Sequence, residues 1–261
     1  MLRLSSSISN SFQETTGPIM SNMTPSELLA KGAAELHIPH NESQLRLFMA
    51  YAHELARWNE RFNLTSITDE CDIVVKHFLD SLAIFSVVDI PLGCSTVDIG
   101  AGAGFPGVPI KIVRPDILLT LVESSQKKAG FLTHLVGQLE LPNVVVVAER
   151  AEDFGRIKEN RGHFCCAVSR AVADLAVLAE YALPLVKEGG RFVSYKAKGA
   201  PEEVERASGA INLLGGCVEE IAKVVVPFLN AERYLISIKK VAQSPQAYPR
   251  KAGTPAKKPL V

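Results

Sequence analysis

Residues 97–107 read VDIGAGAGFPG, and this stretch decides how the rest of the chain is interpreted. Starting from Gly102, it fits the G-x-G-x-x-G loop of dinucleotide-binding folds. Starting from Asp98, it fits the D-x-G-x-G-x-G loop of enzymes that use S-adenosylmethionine. Both loops follow the first strand of an α/β sheet and open a helix, so the two alternatives share a fold and differ in ligand.

The residues around the glycines discriminate between the two ligands. A pyrophosphate binds free backbone N–H groups in the positive field of a helix N-terminus. Asp98 would place a negative charge close to it, and Pro106 removes one N–H donor. S-adenosylmethionine instead carries a cationic sulfonium and an ammonium, which a carboxylate favours. The loop therefore predicts S-adenosylmethionine as the cofactor, with Asp98, Gly100 and Gly102 among its contacts.

Acidic residues after the next two candidate strands extend this cofactor site. Glu123 follows the loop by about 20 residues, where a carboxylate can accept both ribose hydroxyls. A nicotinamide site would use Glu123 equally well. After the third strand, we expect Glu152 at the adenine amino group and the backbone of Ala151 beside the adenine edge. The alternative for Glu152 and Asp153 is that these acids stabilise a helix N-terminus.

The remaining chain divides into a helical part and an alternating part. Residues 24–90 are expected to form an N-terminal helical cap, with helices from 25 to about 37, from 42 onwards along an apolar stripe, and over 69–88. Over 91–240, short apolar runs alternate with helical stretches, which predicts βαβ crossovers and a mainly parallel sheet. The candidate strands are 95–99, 117–123, 143–148, 164–169, 190–195, 217–226 and 233–239, and the candidate helices between them are 107–114, 125–140, 173–186 and 201–214.

The last two strands follow each other closely and should pair as an antiparallel hairpin. The predicted fold class is thus α/β, of the Rossmann-like class I methyltransferase kind. Residues 1–23 are expected to be a disordered extension. Residues 241–261 are expected to be a basic tail, because residues 233–261 hold seven Lys and Arg and no acid. Such a tail is either solvated or a phosphate-contacting arm.

Composition narrows the class of protein. The chain has 261 residues, is 47% hydrophobic and 21% charged, and carries no net charge, which is typical of a globular protein. No stretch has the roughly 18 uninterrupted apolar residues of a membrane span. Five cysteines without a C-x-x-C pair argue against a disulfide framework or a metal site and favour the reducing cytoplasm.

The segment after the fourth strand, CCAVSRAVADL at 165–175, bears on the methyl acceptor. It lacks the [DN]-P-P-[FY] sequence that grips an exocyclic amine. Cys165 and Cys166 lie in an apolar strand, as buried structural thiols do. Methyl acceptors that need little activation remain, such as guanine N7. For such an acceptor, its alignment with the sulfonium matters more than a general base. Arg170 is the candidate catalytic residue, orienting a ligand carboxylate or phosphate. Its alternative is an ion pair with Asp174 at i,i+4.

Four stretches together carry a family resemblance: 63–83, 97–115, 121–154 and 167–199. Their G-F-P-G and S-R-A-V-A segments resemble the bacterial 16S ribosomal RNA guanine-N7 methyltransferase family, also called glucose-inhibited division protein B. The resemblance implies a cytoplasmic enzyme that methylates N7 of one guanine in small-subunit rRNA. The cofactor contacts it implies are Gly100, Phe105, Glu123, Ala151, Glu152 and Arg170. Glu123-Ser124 stands where the family often has D-S, and Glu149-Arg150 where it often has G-R.

RNA contacts require cations near phosphates. The candidates are Lys76, His77, Lys127, Lys128, Arg250 and Lys251, each of which could equally be a solvated surface residue. We expect small-subunit rRNA as partner, no metal, no membrane, and a monomer. Alternatives are methylation of another RNA, a protein or a small molecule, and, from other classes, a nicotinamide oxidoreductase or a non-catalytic nucleotide-binding module.

Overall fold

The structure is a computed structural model and describes residues 23–261. Almost all of the predicted extension over 1–23 therefore lies outside the described residues. Thr24 opens α1 (Pro25–Glu35) through a capping box with Glu27. Asn41 caps α2 (Glu42–Phe62) in the same way. Both helix starts agree with the sequence, because the capping chemistry is local.

The third helical segment is continuous but changes its winding. It consists of α3 (Glu70–Ile73), a π-helix (Val74–Leu79), α4 (Asp80–Leu82) and a 3₁₀ turn (Ala83–Ser86). The predicted helix over 69–88 is thus confirmed as helical, but its sequence did not reveal the π-helix. Such wider turns occur often at functional sites.

Seven strands form one sheet in the order β3-β2-β1-β4-β5-β7-β6. The strands are β1 (Ser95–Ile99), β2 (Leu118–Val122), β3 (Val144–Val147), β4 (Phe164–Arg170), β5 (Val186–Lys196), β6 (Gly216–Val224) and β7 (Arg233–Lys240). The first five pair in parallel, and β7 pairs antiparallel with both β5 and β6. The predicted parallel sheet with a terminal antiparallel hairpin is confirmed.

Helices cross between the strands on both faces of the sheet. They are α5 (Gly107–Val113), α6 (Gln126–Gln138), α7 (Ala151–Arg156), α8 (Leu175–Ala182) and α9 (Ala200–Leu213), followed by the short α10 (Thr254–Lys257). The predicted helix over 173–186 is too long. Pro184 lacks a backbone N–H and cannot continue the helical hydrogen bonding, so the helix stops and β5 begins earlier than predicted.

The N-terminal helices and one face of the sheet share a single hydrophobic core. Leu28 and Phe78 belong to the same buried cluster as Leu121, Val193 and Leu235. A second cluster fills the space between the opposite face and α8 and α9. The expected helical cap over 24–90 is therefore an integral layer of the fold. None of the described helices combines the length and apolarity that crossing a membrane requires.

The expected basic tail is packed against the body. Arg250 and the buried Glu180 form a two-pronged ion pair with a shortest N–O distance of 2.6 Å. Arg161 donates to the backbone oxygens of Ser244 and Tyr248, and the backbone N–H of Gly253 donates to Glu152. We call residues 241–261 the C-terminal segment. Charge composition alone left a solvated end and a phosphate-contacting arm as equal alternatives, because it did not reveal the buried acids that pair with this segment.

Candidate active site

The glycine loop turns sharply between β1 and α5. Gly100, Gly102 and Gly104 have φ of +70°, +60° and +99°, a region that side-chain-bearing residues rarely adopt. A Cβ on Gly104 would lie 2.6 Å from the hydroxyl of Tyr51. The backbone N–H groups of Gly100 and Ala101 donate to the carbonyl of Val122 at 2.9 and 3.1 Å. The loop is therefore bonded to the end of β2.

Asp98 lies beneath this loop. Its side chain is fully buried, and Oδ2 accepts a 2.8 Å hydrogen bond from the backbone N–H of Gly107, at the start of α5. Oδ1 has no partner among the described residues. Burial raises the pKa of Asp98 to about 7. The expected contact with a sulfonium is therefore corrected: the carboxylate ties the loop to α5 and does not line the cavity above it.

Glu123 holds the loop from the end of β2. Its Oε2 accepts from the backbone N–H of Gly102 at 2.9 Å, and Oε1 accepts from Ser125 at 2.7 Å. Above these groups lies a cavity of about 330 Å³, which we call the loop cavity. Its walls include five predicted cofactor contacts and two predicted RNA contacts: Gly100, Gly102, Phe105, Glu123, Arg170, His77 and Lys128.

Phe105 forms the centre of a stack at one side of the loop cavity. Its ring is stacked with His77 at a centroid distance of 4.4 Å and with Tyr51 at 5.2 Å. The guanidinium carbon of Arg170 lies 4.9 Å from the centroid of the same ring, in a cation–π arrangement. The phenyl ring therefore fixes the two polar side chains that border the cavity.

Arg170 is part of a buried ionic cluster. It donates to Oδ2 of Asp80 at 2.7 Å, and Arg233 donates to Oδ1 of the same carboxylate at 2.8 Å. The alternative ion pair between Arg170 and Asp174 does not form, because Asp174 caps α8 by accepting from Ala176. One carboxylate shared by two guanidinium groups leaves the cluster with a net positive charge.

His77 lies beside Arg170 as a neutral ring. Burial and the neighbouring charge of Arg170 lower the pKa of His77 to about 3. Nδ1 accepts from Arg170 at 3.2 Å, so the proton is on Nε2, which donates to the hydroxyl of Thr65 at 3.0 Å. A neutral His77 carries no positive charge for an RNA phosphate, and the predicted contact of its ring with RNA stays a prediction.

A second cavity adjoins the first and has a volume of about 770 Å³. We call it the acceptor cavity. It shares His77, Arg170 and Ala171 with the loop cavity, and its other walls include Val75, Tyr195, Ala197, Phe228 and Arg233. The loop cavity lies at the carboxyl ends of β1 and β2, and the acceptor cavity at those of β4 and β5. This is the edge at which ligands bind in open α/β sheets.

Glu152 is used differently from what the sequence suggested. Its buried carboxylate accepts from the backbone N–H of Gly253 at 2.7 Å and from the hydroxyl of Tyr181 at 3.3 Å. Through Oε1 it thereby anchors the C-terminal segment, and the expected contact of its side chain with an adenine amino group stays a prediction. Ala151 is the first residue of α7, so its backbone N–H has no acceptor within the helix. Its contact with adenine stays a prediction.

The other predicted RNA contacts differ in whether their side chains already form ion pairs within the protein. Lys76 is half-exposed and pairs with Asp72 at 2.8 Å. Lys127, Lys128 and Lys251 form no ion pair with any described residue. Arg250 donates to Glu180 through two nitrogens and its side chain is 25% exposed, so its contact with RNA stays a prediction.

Several residues of the site were not found from the sequence. Asp80 and Arg233 are 153 positions apart, and neither belongs to a motif that names a partner. Thr65 and Tyr195 likewise lie in elements that only the fold brings together. Over residues 23–261, no group of three or more His, Cys, Asp and Glu side chains could hold a metal ion.

The strand order, the reversed β7, the glycine loop after β1 and the acid after β2 together define a class I, Rossmann-like methyltransferase. The family model for rRNA small subunit methyltransferase G matches residues 44–236. This chain belongs to that family, as the sequence resemblance indicated.

Individual relatives agree over nearly the whole length. A ribosomal RNA small subunit methyltransferase G of Desulforamulus reducens is 47% identical over 89% of this chain and 97% of the relative. A ribosomal RNA small subunit methyltransferase G of Staphylococcus carnosus is 44% identical over 90% of this chain and 98% of the relative. A solved structure of a predicted O-methyltransferase from Agrobacterium tumefaciens has a TM-score of 0.48 and 22% identity, over 64% of this chain and 81% of that chain.

Proposed function

We propose that this enzyme transfers a methyl group from S-adenosylmethionine to N7 of a guanine in small-subunit rRNA, in the cytoplasm. The relatives are named for methylation of that RNA, and guanine N7 is what the family resemblance implies. The observation that carries the proposal is the junction of two cavities at His77 and Arg170. Methyl transfer needs two reactants in contact, and this junction offers one chamber to each.

The loop cavity fits the cofactor. Backbone at positive φ comes close to the cavity, and a Cβ on Gly100 would lie 2.6 Å from the side chain of Val172. Glu123 offers carboxylate lone pairs for ribose hydroxyls beside the backbone N–H of Gly102. Arg170 borders the junction, but its Nη1 and Nη2 donate to Asp80 and His77, so its contact with the methionine carboxylate stays a prediction. When bound, S-adenosylmethionine supplies an electrophilic methyl group on a sulfonium.

The side chains at the junction suit a nucleophile that carries no proton. Guanine N7 offers an in-plane lone pair, so the protein needs no general base and must only keep that lone pair available. His77 is neutral and its Nε2 proton is directed to Thr65. Arg170 is held by Asp80 and by Nδ1 of His77. Neither group is therefore disposed to protonate N7 or to occupy it.

The test is a map of modified bases in 16S rRNA from cells with and without this gene, by mass spectrometry or primer extension. We expect one N7-methylguanine to disappear in the deletion and to return with the intact gene. Calorimetry with S-adenosylmethionine and with NAD provides an independent readout on the purified protein. Unchanged rRNA modification, or tight NAD binding without S-adenosylmethionine binding, would refute the proposal.

A further inference from the structure

We propose that the acceptor cavity receives the target guanine, flipped out of its RNA stack, and that Arg233 binds the phosphate of that nucleotide. This inference rests on the proposed function and identifies the part of the site that takes the RNA. The position of the cavity, the chemistry of its walls and the ionic cluster at its edge each support this proposal.

The position of the acceptor cavity supports binding of the target base there. The acceptor cavity lies beyond the ends of β4 and β5 and shares a wall with the loop cavity at His77, Arg170 and Ala171. A base in the acceptor cavity would therefore meet the cofactor at that shared wall. A base cannot reach a buried methyl group while it is stacked in RNA, so the nucleotide must leave its stack to enter.

The side chains that line the acceptor cavity also suit a nucleobase. Aromatic and aliphatic side chains, including Val75, Tyr195 and Phe228, surround a volume of about 770 Å³. The hydroxyl of Tyr195 donates to the backbone oxygen of Ser81 at 2.6 Å, which fixes the ring. The apolar part of these walls, which lies beside charged side chains such as Asp80 and Arg233, suits the face of a nucleobase, since bases bind proteins largely by stacking on such surfaces.

The positive charge of Arg233 at the edge of the acceptor cavity suits a phosphate. Arg233 donates through Nε to Asp80 and through Nη1 to the backbone oxygen of Glu232, whereas its Nη2 has no partner among the described residues. Its side chain is 26% exposed, compared with 12% for Arg170. Because Asp80 is shared by two guanidinium groups, the cluster keeps one positive charge for an anion. An RNA phosphate is the anion that accompanies every base.

The arrangement also explains how arginine and guanine N7 can coexist in one site. Arginine commonly binds guanine through both O6 and N7, which would occupy the N7 lone pair. Arg170 donates through Nη1 to Asp80 and through Nη2 to His77, and its guanidinium lies against Phe105. These contacts make Arg170 a positioning residue for His77, and they keep its planar fork away from the Hoogsteen edge.

The phosphate contact is tested with Arg233→Gln and the matched control Arg46→Gln, which removes an exposed arginine paired with Glu42 on α2. For Arg233→Gln we expect a KM for unmodified small subunits raised about tenfold, a kcat within threefold of wild type, and unchanged affinity for S-adenosylhomocysteine. The slope of log affinity for the rRNA fragment against log salt should fall by about 0.7 to 0.9, the value of one phosphate. A purely structural role for Arg233 would not change that slope.

The binding of the guanine base in the acceptor cavity is tested by filling that cavity with a larger side chain. Ala197 lies at the exposed rim of the acceptor cavity, and Ala50 is an exposed alanine on α2. Ala197→Trp should lower the rate of methyl transfer at least a hundredfold and leave S-adenosylhomocysteine affinity within twofold of wild type. Ala50→Trp should change neither quantity.

The outcomes separate this inference from the proposed function. If the wild-type enzyme methylates guanine N7 but Ala197→Trp does so at the wild-type rate, the base binds elsewhere. If Arg233→Gln keeps both the wild-type KM and the wild-type salt slope, Arg233 does not bind phosphate. If the wild-type enzyme binds S-adenosylmethionine but leaves small subunits unmodified, the proposed function itself fails, and the acceptor cavity serves another substrate.

Discussion

Replacing Glu123 by glutamine should weaken cofactor binding by about two orders of magnitude. Each carboxylate oxygen accepts a backbone N–H, from Gly102 and from Ser125. Glutamine keeps one acceptor and directs its NH₂ group towards the other N–H, so one charge-assisted hydrogen bond is lost and one donor is left unpaired. A hydrogen bond to a charged group is worth roughly 1.5 to 3 kcal/mol. A total of about 3 kcal/mol, with the ribose contact included, corresponds to a factor of roughly 100 in Kd.

The measurement is isothermal titration calorimetry with S-adenosylhomocysteine, on protein whose thermal melting shows an intact fold. Glu149→Gln is the matched control, because Glu149 is an exposed carboxylate just after β3. We expect the control to bind with the wild-type Kd. A Glu123→Gln variant that folds and binds within threefold of wild type would refute the idea that Glu123 joins the loop to the ribose.

Three further predictions concern buried titratable groups. Asp98 has a folded pKa of about 7, above its unfolded value of 3.8, so the free energy of unfolding should fall by about 3 kcal/mol from pH 5 to pH 8. Asp98→Asn should abolish that fall in urea titrations; an unchanged slope contradicts the assignment. Arg250→Met leaves Glu180 buried and unpaired, at a cost of roughly 3 to 5 kcal/mol, and should lower Tm by about 10 °C, whereas Lys251→Met should not. An equal Tm for the two variants would show that the pair is not stabilising. Because the pKa of His77 is about 3, single-turnover methyl transfer should be independent of its protonation between pH 6 and pH 8; a rate that follows a group of pKa near 6.5 would argue against a neutral His77.

The elements of the fold were predictable because their signals are local. Strand and helix periodicities, the caps at Thr24 and Asn41, and the glycine loop each depend on a few neighbouring residues. The position of Glu123 at the end of β2 follows from the same βαβ pattern. The π-helix did not follow, because nothing in the composition of Val74–Leu79 distinguishes it from an α-helix.

The side-chain partners of the site were not predictable, because they are distant in sequence. Arg170 and Asp80 are 90 positions apart, and Arg250 and Glu180 are 70 apart. The count of basic residues left a solvated end and a phosphate-contacting arm open, whereas in the structure the buried Glu180 pairs with Arg250 and holds this segment against the body. A single chain sequence shows which charges are present but not which of them neutralise one another.

The role of Asp98 also differs from the expectation that favoured S-adenosylmethionine over a pyrophosphate. In that expectation the carboxylate of Asp98 carries a full negative charge and faces the ligand. The structure places that carboxylate under the loop with a pKa near 7, so much of its charge is absent at neutral pH and none of it faces the cavity. The sequence pattern led to the right class of enzyme, but the role of Asp98 is to hold the loop and α5 together.

The shared core of the N-terminal helices and the sheet has a consequence for synthesis. Leu28 and Phe78 leave the ribosome early, whereas Leu235, a member of the same buried cluster, is added about 160 residues after Phe78. At roughly 5 to 20 residues per second, that interval lasts on the order of ten seconds. During that time the apolar faces of α1 and the π-helix lack their final partners. A nascent chain stalled before β7 is therefore a natural client for chaperones, and truncated products should aggregate instead of yielding a stable helical fragment.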